Sequence, residues 1–83
     1  MINNLNESVE LMTSSDYKDR FKAEYYQLEY RLIRLNEMVE KWDNGMLPFK
    51  PTVDRECYDR QIKAMQDYLN VLQERAEIEK VDL

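Results

Sequence analysis

Phe21, Tyr25, Leu28, Leu32, Leu35, Val39 and Trp42 follow one another at alternating intervals of four and three residues. That spacing holds one stripe of a helix toward a partner helix, so it predicts a long amphipathic helix over 16–43 with a coiled-coil-like seam. Such a helix would be about 42 Å long at the usual rise per residue. Ser15 or Asp16 can cap its start, and Asn44-Gly45 suits its end, since both tolerate the left-handed conformation that follows a last turn. A second run, predicted as helix over 54–78, carries two adjacent lines with the same spacing. One is Tyr58, Ile62, Met65, Leu69, Leu72 and Ala76; the other is Cys57, Gln61, Ala64, Tyr68, Val71, Arg75 and Ile78. The fold class expected is all-α: a long antiparallel helical hairpin, 16–83, with a linker at 44–53.

The breakers agree with this division. The single glycine and both prolines, Gly45, Pro48 and Pro51, fall inside the linker, and the stretches on either side are rich in good helix formers. Met46, Leu47 and Phe49 make the linker unusually apolar, which predicts an extended segment whose alternate side chains fold back on the hairpin tip. In residues 1–15, Leu5, Val9 and Met12 have helical spacing, so this segment is either a short amphipathic helix or disordered. The tail from Glu77 to Leu83 is expected to continue the second helix and fray.

One face of each helix is left over. Tyr26, Tyr30 and Ile33 lie on the first helix roughly opposite its seam, and the Cys57-to-Ile78 line gives the second helix a broad apolar band. A two-helix hairpin has a single internal interface, so these faces predict a homo-oligomeric bundle, a dimer of hairpins or larger, unless residues 1–15 cover them. Length points the same way. At 83 residues one core rarely supplies more than about 3–5 kcal/mol without disulfides, metal or association. Cys57 is the only cysteine and there is no histidine, so association is the remaining source of buried surface, and no metal site or cofactor is expected.

Charge narrows the partners. Twelve Lys and Arg against 17 Asp and Glu give a net charge of −5, which argues against binding duplex nucleic acid. No run approaches the roughly 18 apolar residues of a membrane span. The N-terminus lacks the basic start and apolar run of a secretion signal, so a cytoplasmic location is expected. Catalysis has little to work with: Cys57 has no histidine to activate it, paired acids such as Glu37 and Glu40 sit on exposed positions, and a single glycine builds no phosphate loop. The chain is read as a non-enzyme.

The richer chemistry is aromatic and guanidinium. Tyr25, Tyr26 and Tyr30 lie within one or two turns of Arg31 and Arg34, and Gln61, Tyr68 and Arg75 recur every seven residues on the second helix. Rings that stack a base beside an Arg that forks onto phosphate are the usual apparatus for a small nucleotide. These eight residues are the candidate ligand site. Seam tyrosines are also commonly core, and flanking arginines commonly pair with nearby acids. Arg75 interrupts an apolar line and needs a partner, across the hairpin or in another subunit.

Three segments carry a resemblance: Tyr17-Lys-Asp-Arg-Phe-Lys-Ala-Glu-Tyr-Tyr-Gln-Leu-Glu-Tyr-Arg-Leu32, Leu47-Pro-Phe-Lys-Pro-Thr52, and Arg60 through Ile78 with its ladder Gln61, Met65, Tyr68, Leu72, Arg75. They resemble the small crAss-related helical-hairpin proteins of phages, over roughly residues 17–83. Where that family often has Cys-Pro before the second helix, Val53-Asp54 stands here. In size and hairpin form the chain is also similar to the phage anti-CBASS and anti-Thoeris sponge proteins, oligomers that sequester cyclic nucleotide immune signals between subunits. The resemblance implies a phage-encoded counter-defence protein acting in the host cytoplasm. The alternatives are a protein–protein inhibitor or adaptor of a host defence complex, anti-CRISPR-like, and a ligand-free phage assembly factor.

Overall fold

The computed structural model describes all of residues 1–83. It is entirely helical: a 3₁₀ turn at Leu5–Ser8 runs into α1 (Val9–Met12), and two long helices follow, α2 (Tyr17–Asp43) and α3 (Arg55–Glu79). The side chain of Asp16 accepts from the Lys18 amide at 2.9 Å and caps α2. Contacts at both ends establish that α2 and α3 run antiparallel. Arg55 reaches Asp43 at 3.0 Å at the tip, and the Tyr17 hydroxyl donates to Glu79 at 2.5 Å at the open end. The molecule is a rod of 43 × 24 × 17 Å, as expected when its length is set by one helix.

The seam packs, but not evenly. Phe21, Tyr25, Leu28 and Leu32 join Leu69, Leu72, Ala76 and Val81 in one buried cluster, with Ile62 and Met65 packed against it. Toward the tip Val39 is buried, but Leu35 and Trp42 are only half-buried, and the Trp42 ring meets Tyr58 edge-on at 5.9 Å. The core therefore lies in the open half of the hairpin, where two further segments close over it.

The C-terminal tail is one of them, and it does not fray as the sequence suggested. α3 stops at Glu79, Lys80 turns left-handed at φ 57°, and the Val81 amide donates to the Ala76 carbonyl at 2.8 Å. This six-to-one bond is the Schellman closure, and it tucks the Val81 side chain into the core at 6% exposure. A left-handed lysine costs about 1 kcal/mol or more relative to glycine. Lys80→Gly is therefore expected to stabilise the fold by about 1 kcal/mol and to raise the thermal midpoint by roughly 4–8 °C. Lys18 donates to the Lys80 carbonyl, a backbone atom that the substitution keeps.

The N-terminal segment is the other. It is helical and lies on α2. Asn4 and Glu7 form a reciprocal capping box at its start. Gln27 of α2 donates to the fully buried Ser8 hydroxyl at 2.8 Å, and Ser8 in turn donates to the Leu5 carbonyl at 2.7 Å. The face it buries differs from the expected Leu5, Val9, Met12 line: Val9 and Met12 stay 45% and 47% exposed, while Ser8 is buried and Leu11 half-buried. The cause is the opening 3₁₀ turn. With about three residues per turn it brings Leu5, Ser8 and Leu11 onto one side.

The linker also departs from expectation. Gly45 (φ 69°) and the Met46 amide bonded to the Lys41 carbonyl close α2 with a second Schellman turn. That turn sends the chain back along the outside of α2, so Leu47, Pro48 and Phe49 line a hollow of ≈ 180 Å³ with Arg34, Met38 and Lys41. Leu47 and Pro51 are half-buried, but Met46 and Phe49 remain 73% and 56% exposed rather than folded onto the tip.

The surplus faces fare differently. On α2, Tyr26 and Tyr30 are half-buried and only Ile33 is open. On α3 the second line is bare at Gln61, Ala64, Tyr68 (45%), Val71 (51%) and Ile78 (73%), while Cys57 and Arg75 are half-buried.

Candidate functional site

The N-terminal segment, α2 and α3 enclose a shallow groove along one flank. Its lower part, ≈ 400 Å³, is lined by Met12, Arg20, Glu24, Gln27, Arg31 and Tyr68, among others. Its upper part, ≈ 450 Å³, is lined by Leu5, Tyr30, Arg31, Arg34, Gln61 and Met65, with Leu35 and Met38 behind. Arg31 belongs to both parts and so sits at the middle. Five of the eight candidate residues, Tyr30, Arg31, Arg34, Gln61 and Tyr68, are gathered here from two helices.

Helical geometry explains the gathering. Arg20, Gln27, Arg31 and Arg34 recur at three, four or seven residues and rise along one side of α2, while Gln61, Met65 and Tyr68 do the same on α3. The N-terminal segment adds a third wall of Leu5 and Met12, carried by the Gln27 bonds to Ser8 and to the Met12 sulfur at 3.4 Å.

The groove is cationic although the chain is acidic. Arg20, Arg31 and Arg34 face a single lining acid, Glu24, whose carboxylate accepts a hydrogen bond from the Tyr68 hydroxyl. Arg20 donates to the Ser14 carbonyl at 2.8 Å, and Arg34 holds Glu37 loosely at 3.5 Å, both side chains more than half exposed. Arg31 is exposed and enters no ion pair. Its five donors are free to meet an anionic group entering between the walls.

The other three candidates lie elsewhere. Tyr25 is a core residue at 6% exposure; its hydroxyl is satisfied by Gln73 across the hairpin at 2.8 Å. Tyr26 stands edge-on to it at 5.7 Å, and burial with the nearby Glu29 carboxylate pushes its phenol up. Seam packing claims the first of these, since a position facing the partner helix cannot also face solvent.

Arg75 has its partners inside the hairpin. Its guanidinium lies 5.0 Å above the Phe21 ring, donates to the Tyr17 hydroxyl at 2.8 Å and pairs with Glu79 at 3.0 Å. The Tyr17 and Arg75 hydrogen bonds hold the Glu79 carboxyl below its ordinary value, and Arg55 does the same to Asp43 at the tip. Both carboxylates are thus more acidic folded than unfolded. The stability they add is present above the ordinary carboxylate range, about pH 4, and is lost as pH falls through their lower folded values. Thermal midpoints should fall between about pH 4 and pH 2, and Glu79→Gln should flatten part of that decline; its persistence unchanged in the variant would count against this cluster. The size is modest, because Asp43 is exposed and Glu79 only half-buried.

Leu5, Met12, Arg20, Glu24 and Gln27 line the groove but were not among the eight candidates. Gln27 carries no distinctive signal, and the wall it holds exists only because the N-terminal segment folds back.

The fold and this flank define a small helical-hairpin protein that offers an open, arginine- and tyrosine-lined surface groove. A family model described as Sequestin matches residues 15–78, which takes in both long helices and the linker. The chain belongs to the Sequestin family. No curated protein and no solved structure matches it. No helix is long and apolar enough to cross a membrane.

Proposed function

We propose that this chain is a non-enzymatic, phage-encoded binding protein that sequesters a small cyclic nucleotide signal of the host's defence, acting as an oligomer in the host cytoplasm. The observation that carries the reading is the unpaired Arg31 at the centre of a groove walled by Tyr30, Tyr68, Gln61 and Arg34. Tyrosine faces can stack a base, the guanidinium can fork onto a phosphate, and Gln61 offers both a donor and an acceptor to a base edge. The family's name points to sequestration in general, and the resemblance to phage sponge hairpins supplies the nucleotide and the phage setting. A protein that only holds its ligand needs no nucleophile or general base, and none is called for here.

The test is a thermal-shift screen followed by calorimetry, using cyclic di- and trinucleotides and cyclic ADP-ribose isomers. Saturation by one of them at a hundred times its Kd should add about 2.7 kcal/mol of stability. If none shifts the melt, the nucleotide reading fails. A second reading, a protein–protein inhibitor of a host complex, is favoured by the exposed Met46 and Phe49 at the tip. It predicts that Phe49→Ala abolishes capture of a host protein while nucleotides have no effect.

A further inference from the structure

One segment that stands out in the sequence, Leu47-Pro48-Phe49-Lys50-Pro51, takes no part in the groove. It runs back along α2 and lines a hollow of ≈ 180 Å³ with Met38, and Arg34, Glu37 and Lys41 complete the lining. We infer that this hollow is a stacking subsite for a planar ring of an anionic ligand, with Phe49 as the platform and Arg34 and Lys41 as the contacts to phosphate. The inference rests on the nucleotide reading for the rest of the ligand, and extends it to a ligand with two rings.

Phe49 carries the ring half of the argument. Its side chain stays 56% exposed, yet the backbone fixes where it stands. The left-handed Gly45 and the bond from the Met46 amide to the Lys41 carbonyl set the direction in which the linker leaves α2. Half-buried Leu47 and Pro51 anchor it on either side. Pro48 holds its own φ, and Pro51 keeps Lys50 extended. An open ring on a backbone with so few alternatives is an aromatic surface organised before anything binds. Met38 adds a thioether, which packs well against ring edges.

The charges supply the other half. Lys41 enters no ion pair. Arg34 holds Glu37 at 3.5 Å with both side chains more than half exposed, a pair that phosphate displaces at little cost. The Glu37 carboxylate is then free to accept from a ring or exocyclic N–H of a base. A plain hydrocarbon ring would use none of these three groups. A base joined to phosphate uses all of them.

The hollow is continuous with the groove, because Arg34 and Met38 line both. Along α2, Arg34 lies about 4.5 Å beyond Arg31, and Lys41 about 10.5 Å beyond Arg34 on the same side. Phosphates on Arg31 and Arg34 therefore leave one ring for Tyr30 in the groove and the other for Phe49. Both subsites belong to a single chain.

Phe49→Trp in a Trp42→Phe background places the only indole of the chain on the platform. AMP, titrated to millimolar concentration, should quench its emission saturably, and adding Lys41→Ala should weaken the response several-fold. Quenching that rises only linearly, in a variant of native helicity, overturns the subsite. The native chain gives a second reading that no substitution at the tip can disturb. AMP should shift the amide resonances of Lys41, Leu47 and Phe49; shifts confined to other residues, or none, overturn it. Arg31→Ala should leave these responses in place, since the hollow has its own cations, and their loss would count against it. Failure of the groove as a nucleotide site is thus seen apart from failure of the hollow. Cyclic di-AMP, with two bases, should bind the native chain more tightly than AMP. Phe49→Ala should then lower its affinity by about 5- to 150-fold, the loss of one stacked base. Equal affinity for the two probes, or no effect of Phe49→Ala, would break the link between hollow and groove.

Discussion

Phe21→Ala should remove most of the stability of this protein, a loss of about 3–5 kcal/mol. Phe21 is 2% exposed and stands first in the buried cluster. It also carries the open end of the hairpin, with the Tyr17 ring edge-on at 6.3 Å and the Arg75 guanidinium over its face. Truncation opens a cavity and leaves Arg75 above it, so the relaxation that softens many such substitutions is blocked by the groups Arg75 still holds. A core of this size has little more than that to lose. The measurement is helicity against temperature: the variant should show a broad, low-temperature loss of signal where the native chain melts cooperatively. Val71→Ala is the matched comparison, because Val71 is 51% exposed within one chain. It should cost well under about 1 kcal/mol in dilute protein and more where chains associate. A Phe21→Ala protein that melted within a few degrees of native would show that the core is not where these contacts put it.

Arg31→Ala should weaken ligand capture by about tenfold or more and leave the fold intact. An exposed side chain without partners contributes within about 0.5 kcal/mol to stability, so the melt should not move. A charge-assisted bond to phosphate contributes about 1.5–3 kcal/mol, which is roughly a 10- to 150-fold loss of affinity for each chain's arginine. Arg31→Lys should recover only part, since an ammonium keeps the charge and loses the planar fork. Tyr25→Phe separates site from core: it removes the hydroxyl that Gln73 reaches and should lower the melting point while nucleotide affinity, measured below that point, is kept. Unchanged affinity in Arg31→Ala would remove the groove as the ligand site.

The helices were legible in the chain because their signals are local and repeated. The four–three seam from Phe21 to Trp42 and the confinement of Gly45, Pro48 and Pro51 to one short stretch are properties of neighbouring residues, and any packing must respect them. The Tyr–Arg clustering was legible for the same reason, since a helix puts residues three, four and seven apart on one side whatever it meets.

What escaped was everything set by contact between distant segments. Tyr25 stood on the seam and Tyr30 on the opposite face, yet both carry the same chemistry; packing against α3 buries the first and leaves the second half-buried beside Arg31. Arg75 reads as an intruder in an apolar line until Tyr17, Phe21 and Glu79 are seen around it. The left-handed turn at Lys80 could not be read from a lysine, because its cost is met by the burial of Val81, a gain visible only once α2 is in place. The 3₁₀ turn at Leu5–Ser8 likewise rotated the N-terminal face away from its expected line, since Gln27 held Ser8 inward. Periodicity along the chain thus determined the elements and the residue types each face would offer, because backbone hydrogen bonding repeats whatever lies nearby. Which faces met, and therefore which side chains stayed free to bind, was decided by packing, because burial is a property of pairs of surfaces and not of either one alone.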